Sequence, residues 1–308
     1  MPQALLARGL CRRYSWSGGH QDALRGVDLE VPTGTVLGLI GRNGAGKTTF
    51  LRIASTSLLP TAGSMQVLGH DVVTDAVNVR ERIAVIPQES RPFYWMNPRE
   101  LVYYYLTMRG ETHRVAREKA AEALAELGLT RWENTVVSRL SGGLRRRAMV
   151  AMVMASDAEL LFLDEPTTGL DPIARRSVWE AIRKAAKANR TIFLTTHYLD
   201  EADALSDRLA LLESGKLLAS GTRDDLAALA RRPYRVEVSD GFPEEELRSY
   251  GDLSRVGERW MLFTGEKEAR ELSRRALEKG IRLSLGPVSL EDIFLQMVGQ
   301  DISVEGEE

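Results

Sequence analysis

The spacing of apolar and polar positions divides the chain into short strands and amphipathic helices. A turn cluster at residues 17–19 separates two segments rich in apolar residues, which predicts two strands joined by a loop. The apolar run at 35–40 ends in glycines, which is typical of a buried strand that enters a loop. From Lys47 the sequence favours a helix that Pro60 would stop. Strand, glycine-rich loop and helix therefore follow one another.

Amphipathic helices dominate the middle of the chain. The periodicity predicts helices over residues 98–108 and 112–127, the second ended by Gly128 as a C-cap. We interpret this part, about residues 89–145, as a helical insert. Strands that alternate with helices then indicate a parallel sheet. The apolar strands concerned are residues 160–163, 191–194 and 209–212.

The pattern restarts with smaller elements after about residue 229, where residues 231–233 read as a linker. We predict two domains, residues 1–228 and 229–308. The second would be a small α+β domain, for which a ferredoxin-like fold is one candidate. Its predicted strands and helices are residues 234–238, 266–279, 281–285 and 290–298.

Composition narrows the class of protein. Hydrophobic residues make up 44% and charged residues 27%, a globular balance. The formal charge of -2 lacks the positive excess of nucleic-acid-binding proteins, so we expect no nucleic-acid partner. Cys11 is the only cysteine, which excludes an internal disulfide and favours a reducing cytoplasm. The longest apolar run, residues 148–155, is shorter than the roughly 18 residues of a membrane span, so any membrane role would come through a partner.

A phosphate-binding pattern, G-x-x-x-x-G-K-[ST], lies between the predicted strand and helix. Glycines let main-chain N–H groups turn inward, and the helix N-terminus adds partial positive charge. Lys47 would reach the outer phosphates, and the Thr48 hydroxyl can ligate magnesium. The candidate phosphate contacts are Gly41, Arg42, Asn43, Gly44, Ala45, Gly46, Lys47, Thr48 and the neighbouring Thr49.

Two carboxylates follow the buried strand at 160–163, at the sheet edge where ligands of open parallel sheets bind. Asp164 can hold the magnesium, and Glu165 can orient or deprotonate an attacking water. Residues 140–143, Leu-Ser-Gly-Gly, precede a long helix whose N-terminus suits phosphate oxygens. Each feature alone would be an ordinary turn or cap, and the phosphate loop gives both a functional interpretation.

Taken together, these motifs resemble the nucleotide-binding subunit of an ATP-binding-cassette (ABC) transporter over roughly residues 4–225. Residues 41–48 resemble the Walker A loop, and residues 160–165 resemble Walker B. Gln88 resembles the glutamine of the Q-loop, and residues 140–143 resemble the signature motif. The order of these motifs along the chain is that of the family.

Further positions match the family. Asp171, within residues 169–172, resembles the D-loop aspartate, and His197 resembles the switch histidine. Tyr14 resembles the aromatic residue that stacks on adenine, and Trp16 is a rival for that role. The resemblance implies an α/β fold, a P-loop NTPase cassette with a mixed sheet core.

The resemblance also implies two cofactors, ATP and Mg²⁺. Gln88 would sense the magnesium that Thr48 and Asp164 hold. His197 would contact the γ-phosphate side and support the water aligned by Glu165, so that these two residues and the phosphate-binding lysine are the catalytic candidates.

The active unit implied by the resemblance is a head-to-tail dimer. In it, Ser141 and Gly143 of one copy, with Gly142 between them, close over ATP held by Lys47 of the other copy. Hydrolysis would then control association of the two copies.

One position departs from the usual signature motif, because Leu144 stands where glutamine is common. An apolar residue there also occurs in exporter-like subfamilies, so this departure does not put catalysis in doubt. It does put close kinship with sugar importers in doubt. The basic run at 145–147 could suggest nucleic acid, but we expect these arginines to be solvated or paired with acids.

Aromatic residues are concentrated after the Q-loop, at 93–96 and 103–105. Such clustering predicts an interface, and in the family this region receives the coupling helix of the membrane subunit. The alternative is that the rings fill the core of the insert itself.

The leading hypothesis is an ATPase subunit that powers a separate transmembrane permease from the cytoplasmic face. Residues 289–294 resemble the ending of drug, antibiotic or polysaccharide export ATPases, which favours export. The alternatives are an importer ATPase with a regulatory C-terminal domain and a soluble ABC ATPase that acts on ribosomes or DNA.

Overall fold

The computed structural model describes residues 2–88, 93–238, 241–257 and 259–298. The chain divides into two compact units, Met1–Ser220 and Gly221–Glu308. This division lies slightly before the domain boundary predicted after residue 228.

The strands and helices are numbered along the chain. The strands are β1 Gln3–Trp16, β2 Gly19–Pro32, β3 Val36–Ile40, β4 Ala62–Val67, β5 His70–Asp71, β6 Ile83–Ile86, β7 Leu160–Asp164, β8 Thr191–Thr196, β9 Arg208–Glu213, β10 Lys216–Gly221, β11 Tyr234–Val238, β12 Gly251–Val256, β13 Arg259–Thr264 and β14 Leu283–Pro287. The helices are α1 Lys47–Ala54, α2 Ala76–Arg82, α3 Pro98–Met108, α4 His113–Glu126, α5 Gly142–Met154, α6 Pro172–Lys187, α7 Leu199–Leu205, α8 Arg223–Ala228, α9 Glu244–Arg248, α10 Glu266–Lys279 and α11 Leu290–Val298. Short 3₁₀ turns cover Thr130–Trp132 and Val137–Arg139.

Two sheets organise the described part of the first unit. The outer sheet has the order β2-β1-β4-β5 and pairs antiparallel, starting from the predicted hairpin of β1 and β2. The central sheet has the order β10-β9-β3-β8-β7-β6, and its strands from β9 to β6 pair parallel. The apolar runs predicted as strands at 160–163, 191–194 and 209–212 are β7, β8 and β9 of this sheet.

The central strands are apolar throughout because both of their faces are covered. Along β7, Leu161 and Leu163 pack into a cluster with residues of α3 to α6. Leu160 and Phe162 point to the other face and pack with residues of α1 and of the outer sheet. The sheet is therefore held between a helical layer and an antiparallel sheet.

The register brings three strand ends to one edge of the central sheet. Ile40 at the end of β3 pairs with Thr196 of β8, and Asp164 at the end of β7 pairs with Thr195. The loops that follow β3, β7 and β8 therefore leave the sheet side by side, which is where open α/β sheets bind ligands.

The helix predicted from Lys47 to Pro60 ends earlier than expected. Helix α1 stops at Ala54, and the N–H of Ser55 closes its last turn by donating to Leu51 O at 2.8 Å. Thr56 then takes a left-handed conformation with φ +61°. This turn breaks the helix before proline can do so.

The second unit contains an antiparallel sheet of order β12-β13-β11-β14 in its described residues. Its elements follow one another as β-α-β-β-α-β from β11 to β14, which is the ferredoxin-like topology. Its own core includes Val236, Leu262 and Leu272. The sequence pattern missed α9, β12 and β13, and the strand predicted at 281–285 begins at Leu283.

Among the described residues, none of the helices is long and apolar enough to cross a membrane.

Candidate active site

The glycine-rich loop connects β3 to α1 and wraps around the side chain of Lys47. Gly46 has φ +111°, and a Cβ built there would lie 2.5 Å from the carbonyl oxygen of Ala23, so the position requires glycine. Lys47 Nζ donates to Gly41 O at 2.7 Å and to Arg42 O at 3.1 Å. Burial lowers the pKa of Lys47, although nearby carboxylates, with that of Glu165 first among them, oppose the shift.

The three residues predicted to surround magnesium lie together. Thr48 Oγ1 donates to Gln88 Oε1 at 3.3 Å and to Asp164 Oδ1 at 3.4 Å. Asp164 also accepts a hydrogen bond from Thr195 Oγ1 at 2.5 Å, which fixes its carboxylate. A hydroxyl, an amide oxygen and one carboxylate fit Mg²⁺, which takes oxygen ligands and usually combines one or two carboxylates with substrate phosphates.

Glu165 is held by contacts to both its main chain and its carboxylate. Its φ of +49° is left-handed, an uncommon conformation for a residue other than glycine. Its N–H donates to Thr195 O and Thr195 Oγ1, each at 3.1 Å. Its Oε2 accepts from Gln88 Nε2 at 3.3 Å and from Thr168 Oγ1 at 3.1 Å. The carboxylate is therefore buried but has hydrogen-bond partners.

The other two predicted catalytic groups flank the same carboxylate. Lys47 Nζ lies 3.9 Å from Glu165 Oε1. His197 Nδ1 lies 3.2 Å from the same oxygen but outside hydrogen-bonding geometry, and this nitrogen has no hydrogen-bond partner among the residues that the structure describes. An ammonium, an imidazole and a carboxylate thus meet beside the phosphate loop.

A cavity of about 390 Å³ opens over the loop. The Tyr14 hydroxyl lies 3.4 Å from Thr49 Oγ1, and the Arg12 guanidinium lies 4.9 Å from the centroid of the Tyr14 ring. Trp16, the rival for the adenine position, is 58% exposed and does not line the cavity. The lining residues are Tyr14, Gln21, Ala23, Asn43, Gly44, Gly46, Lys47, Thr48, Thr49, Gln88 and Glu165.

The remaining predicted contacts lie outside this cavity. Ser141 caps α5 by accepting from the N–H of Leu144 at 3.3 Å, and Ser141 and Gly142 are exposed. Asp171 caps α6 and accepts from the N–H groups of two residues, Ile173 and Ala174. These main-chain hydrogen bonds lower the pKa of Asp171. Within one chain, the signature motif and the D-loop therefore do not line the cavity over the phosphate loop.

The basic run of α5 differs from the sequence expectation, because its arginines donate to main-chain carbonyls. Arg145 Nη1 donates to Leu140 O at 3.1 Å, and Arg147 Nη1 donates to Leu127 O at 3.0 Å. Arg146 donates to the carbonyl of Glu165 at 2.8 Å. The sequence shows that these residues are basic, but it does not show which main-chain carbonyls their side chains reach.

Comparison with known proteins identifies the family. The protein-family model described as "ABC transporter" matches residues 24–168 of this chain. The daunorubicin/doxorubicin resistance ATP-binding protein DrrA of Streptomyces peucetius is 36% identical over 96% of this chain and 93% of its own length. The Nod factor export ATP-binding protein I of Rhizobium sp. (strain N33) is 35% identical over 93% of this chain and 95% of its own length.

The fold agrees with this assignment. The structure of the ATP-binding cassette MJ0796 bound to ADP and Pi, described as a dimeric post-hydrolysis state, superposes with a TM-score of 0.66 at 22% identity and covers 71% of this chain and 98% of that one. The chain belongs to the ABC transporter family. It is an ATP-binding, ATP-hydrolysing subunit of the kind found in that family. The predicted P-loop NTPase fold and the exporter-like resemblance are confirmed.

Proposed function

We propose that two copies of this chain bind two ATP molecules head to tail, close on binding and reopen on hydrolysis to drive a separate permease. The observation that carries the proposal is the division of the predicted site. Lys47 and Glu165 line the cavity over the phosphate loop, whereas Ser141 and Gly142 stand exposed at the N-terminus of α5. A helix N-terminus attracts anions, so a second copy can present this end to the nucleotide. The cassette MJ0796, which shares this fold, is described as dimeric.

Within each site, we assign one role to each residue. Thr48, Asp164 and Gln88 would surround Mg²⁺, which supplies charge neutralisation at the phosphates when bound. Glu165 orients the attacking water and accepts its proton, and its buried, hydrogen-bonded carboxylate suits that role. His197 is close enough to Glu165 to hold the same water from the γ-phosphate side.

Replacing Glu165 by glutamine tests this function. The amide keeps the size of the side chain but cannot accept the proton, so we expect kcat to fall by about 100-fold or more. ATP binding should persist, and the variant should accumulate as an ATP-bound dimer in size-exclusion chromatography with light scattering.

A matched control removes the contact from the second copy. Ser141→Arg in the Glu165→Gln background changes an exposed position and leaves the phosphate loop intact. We expect this double variant to bind ATP and stay monomeric. A Glu165→Gln protein that hydrolyses ATP at the full rate, or that binds ATP without dimerising, contradicts the proposal.

We further propose that the permease docks on the aromatic surface of the insert, which we define as Phe93, Tyr94, Trp95 and Tyr104. Their side chains are 45–71% exposed, and the Phe93 and Trp95 rings lie 5.2 Å apart. Tyr103 and Tyr105 instead pack against the core of the insert. Exposed aromatic groups of this kind anchor protein interfaces.

The names of the relatives favour export as the direction, and such a partner would hold this chain at the cytoplasmic face of a membrane. Co-purification from detergent-solubilised membranes tests the docking. Trp95→Ser should reduce recovery of a polytopic membrane protein, whereas Trp16→Ser, which removes another exposed ring outside this surface, should not. Equal recovery with both variants would exclude the aromatic surface as the docking site.

A further inference from the structure

One guanidinium in α5 binds two segments of the active site at once. Arg146 lies on the helix that begins at the exposed signature motif, and its side chain points to the sheet edge instead of into solvent. Among the described residues, its carbonyl partners are Pro87 (2.9 Å) and Gln88 (3.3 Å) in the Q-loop, and Asp164, Glu165 (2.8 Å) and Pro166 (3.3 Å) at the end of β7.

The chemistry of arginine fits this place better than that of lysine. A guanidinium offers five N–H donors in a rigid planar fork, whereas an ammonium offers three donors from a single point. Burial lowers the pKa of Arg146, while the carboxylates of Asp164, Glu165 and Glu201 oppose the shift. Because arginine stays protonated in proteins, the group remains a half-buried cation, and the hydrogen bonds given above all go to carbonyl oxygens.

The contacted segments carry the groups that do the chemistry. The carbonyls of Asp164 and Glu165 belong to the residues whose side chains face Thr48 and the attacking water, and Glu165 is in a left-handed conformation that its surroundings must maintain. The carbonyl of Gln88 belongs to the residue whose amide reaches both Thr48 and Glu165. A shift of the guanidinium therefore moves the main chain on which these side chains stand.

We propose that Arg146 is a positioning residue that sets the catalytic carboxylate of its own chain according to where the N-terminus of α5 lies. This inference rests on the proposed function, since a second copy would fix that N-terminus by meeting its nucleotide. Arg146 follows the cap residue Ser141 by little more than one helical turn, about 7–8 Å along the axis. The helix can thus carry the placement of its first turn to Glu165 as a rigid body.

The test compares Arg146→Lys with Arg190→Lys in the full chain. Arg190 is a matched control because burial also lowers its pKa and its guanidinium donates to the carbonyls of Met154, at the opposite end of α5, and of Ala158, which follows that end. Arg190 does not line the cavity over the phosphate loop. We expect both variants to lose thermal stability. For Arg146→Lys alone, kcat should fall by about 100-fold, a loss that a misplacement of about 1 Å can cause, while the affinity for ATP stays the same.

A second measurement separates this inference from the proposed function. In the Glu165→Gln background, Arg146→Lys should still form the ATP-dependent dimer, because the phosphate loop and Ser141 are unchanged. If Glu165→Gln alone does not dimerise, the proposed function fails. The positioning role of Arg146 is still tested in that case, by whether Arg146→Lys lowers kcat without changing the affinity for ATP. If Arg146→Lys does not fold, Arg146→Gln is measured in the same way. Arg146 has no positioning role if kcat falls equally in the Arg190 variant, or if the loss lies in ATP affinity.

Discussion

At the scale of single residues, the cavity over the phosphate loop distinguishes the two aromatic candidates for the adenine contact. Tyr14 lines the cavity, whereas Trp16, at the end of β1 beside the hairpin turn, does not. We expect Tyr14→Ala to weaken ATP binding by about tenfold, because loss of one aromatic stack on a base costs about 1–3 kcal/mol. Fluorescence titration with a labelled ATP analogue measures the change.

Two comparisons make this result specific. Tyr14→Phe removes the hydroxyl near Thr49 but keeps the ring, so it should bind ATP normally. Trp16→Ala should also bind ATP normally, because its ring stands outside the cavity. A loss of affinity in Trp16→Ala with none in Tyr14→Ala would reverse the assignment.

The residues of the candidate site could be predicted from the sequence wherever the residue type and its spacing together indicate a chemical role. Lys47, Thr48 and Asp164 belong to patterns in which position along the chain fixes position in space, since a loop after one parallel strand and a carboxylate after another meet at the same sheet edge. Arg146 could not be found in this way. Its proposed role depends on carbonyl groups distant in sequence, and a basic residue on a helix has no pattern that distinguishes a solvated side chain from one that reaches main-chain carbonyls.

At the scale of elements, the strands of the central sheet were predictable because they are buried on both faces and therefore apolar at every position. The second unit was harder to predict. Its strand β12 has the sequence Gly-Asp-Leu-Ser-Arg-Val, with exposed Asp252 and Ser254 and only a half-buried Leu253. A sheet covered on one face gives short strands a weak alternating signal, and pairing with β13 supplies the stabilisation that the sequence does not reveal.

The ends of the helices followed capping contacts and local backbone conformation more closely than they followed the positions of helix-breaking residues such as proline. Asn97 and Glu100 form a complete capping box at the start of α3, and Pro98 occupies the first turn, so the predicted start was correct. The end of α1 depended instead on Thr56, whose left-handed conformation no composition rule indicates. Proline marks the latest point at which a helix can end, while tertiary packing decides the actual point.

At the scale of the whole molecule, each unit has hydrophobic clusters of its own. The two clusters that position the phosphate loop draw only on residues before 218, and the cluster of the ferredoxin-like sheet draws only on residues from 236 onward. We therefore expect residues 1–220 to fold without the rest and to bind ATP with the affinity of the full chain.

Truncation at two different positions distinguishes the two candidate domain boundaries, one after residue 220 and one after residue 228. A chain that ends at Leu229 retains α8, whose Leu226 is fully buried in the complete protein, but lacks α11, which α8 contacts. That chain would expose the side chain of Leu226, so we expect it to aggregate more than a chain that ends at Ser220. Light scattering and thermal unfolding of the two truncated proteins decide between the boundaries. If the shorter chain is the less stable of the two, or fails to bind ATP, the first domain extends beyond residue 220 and α8 belongs to it.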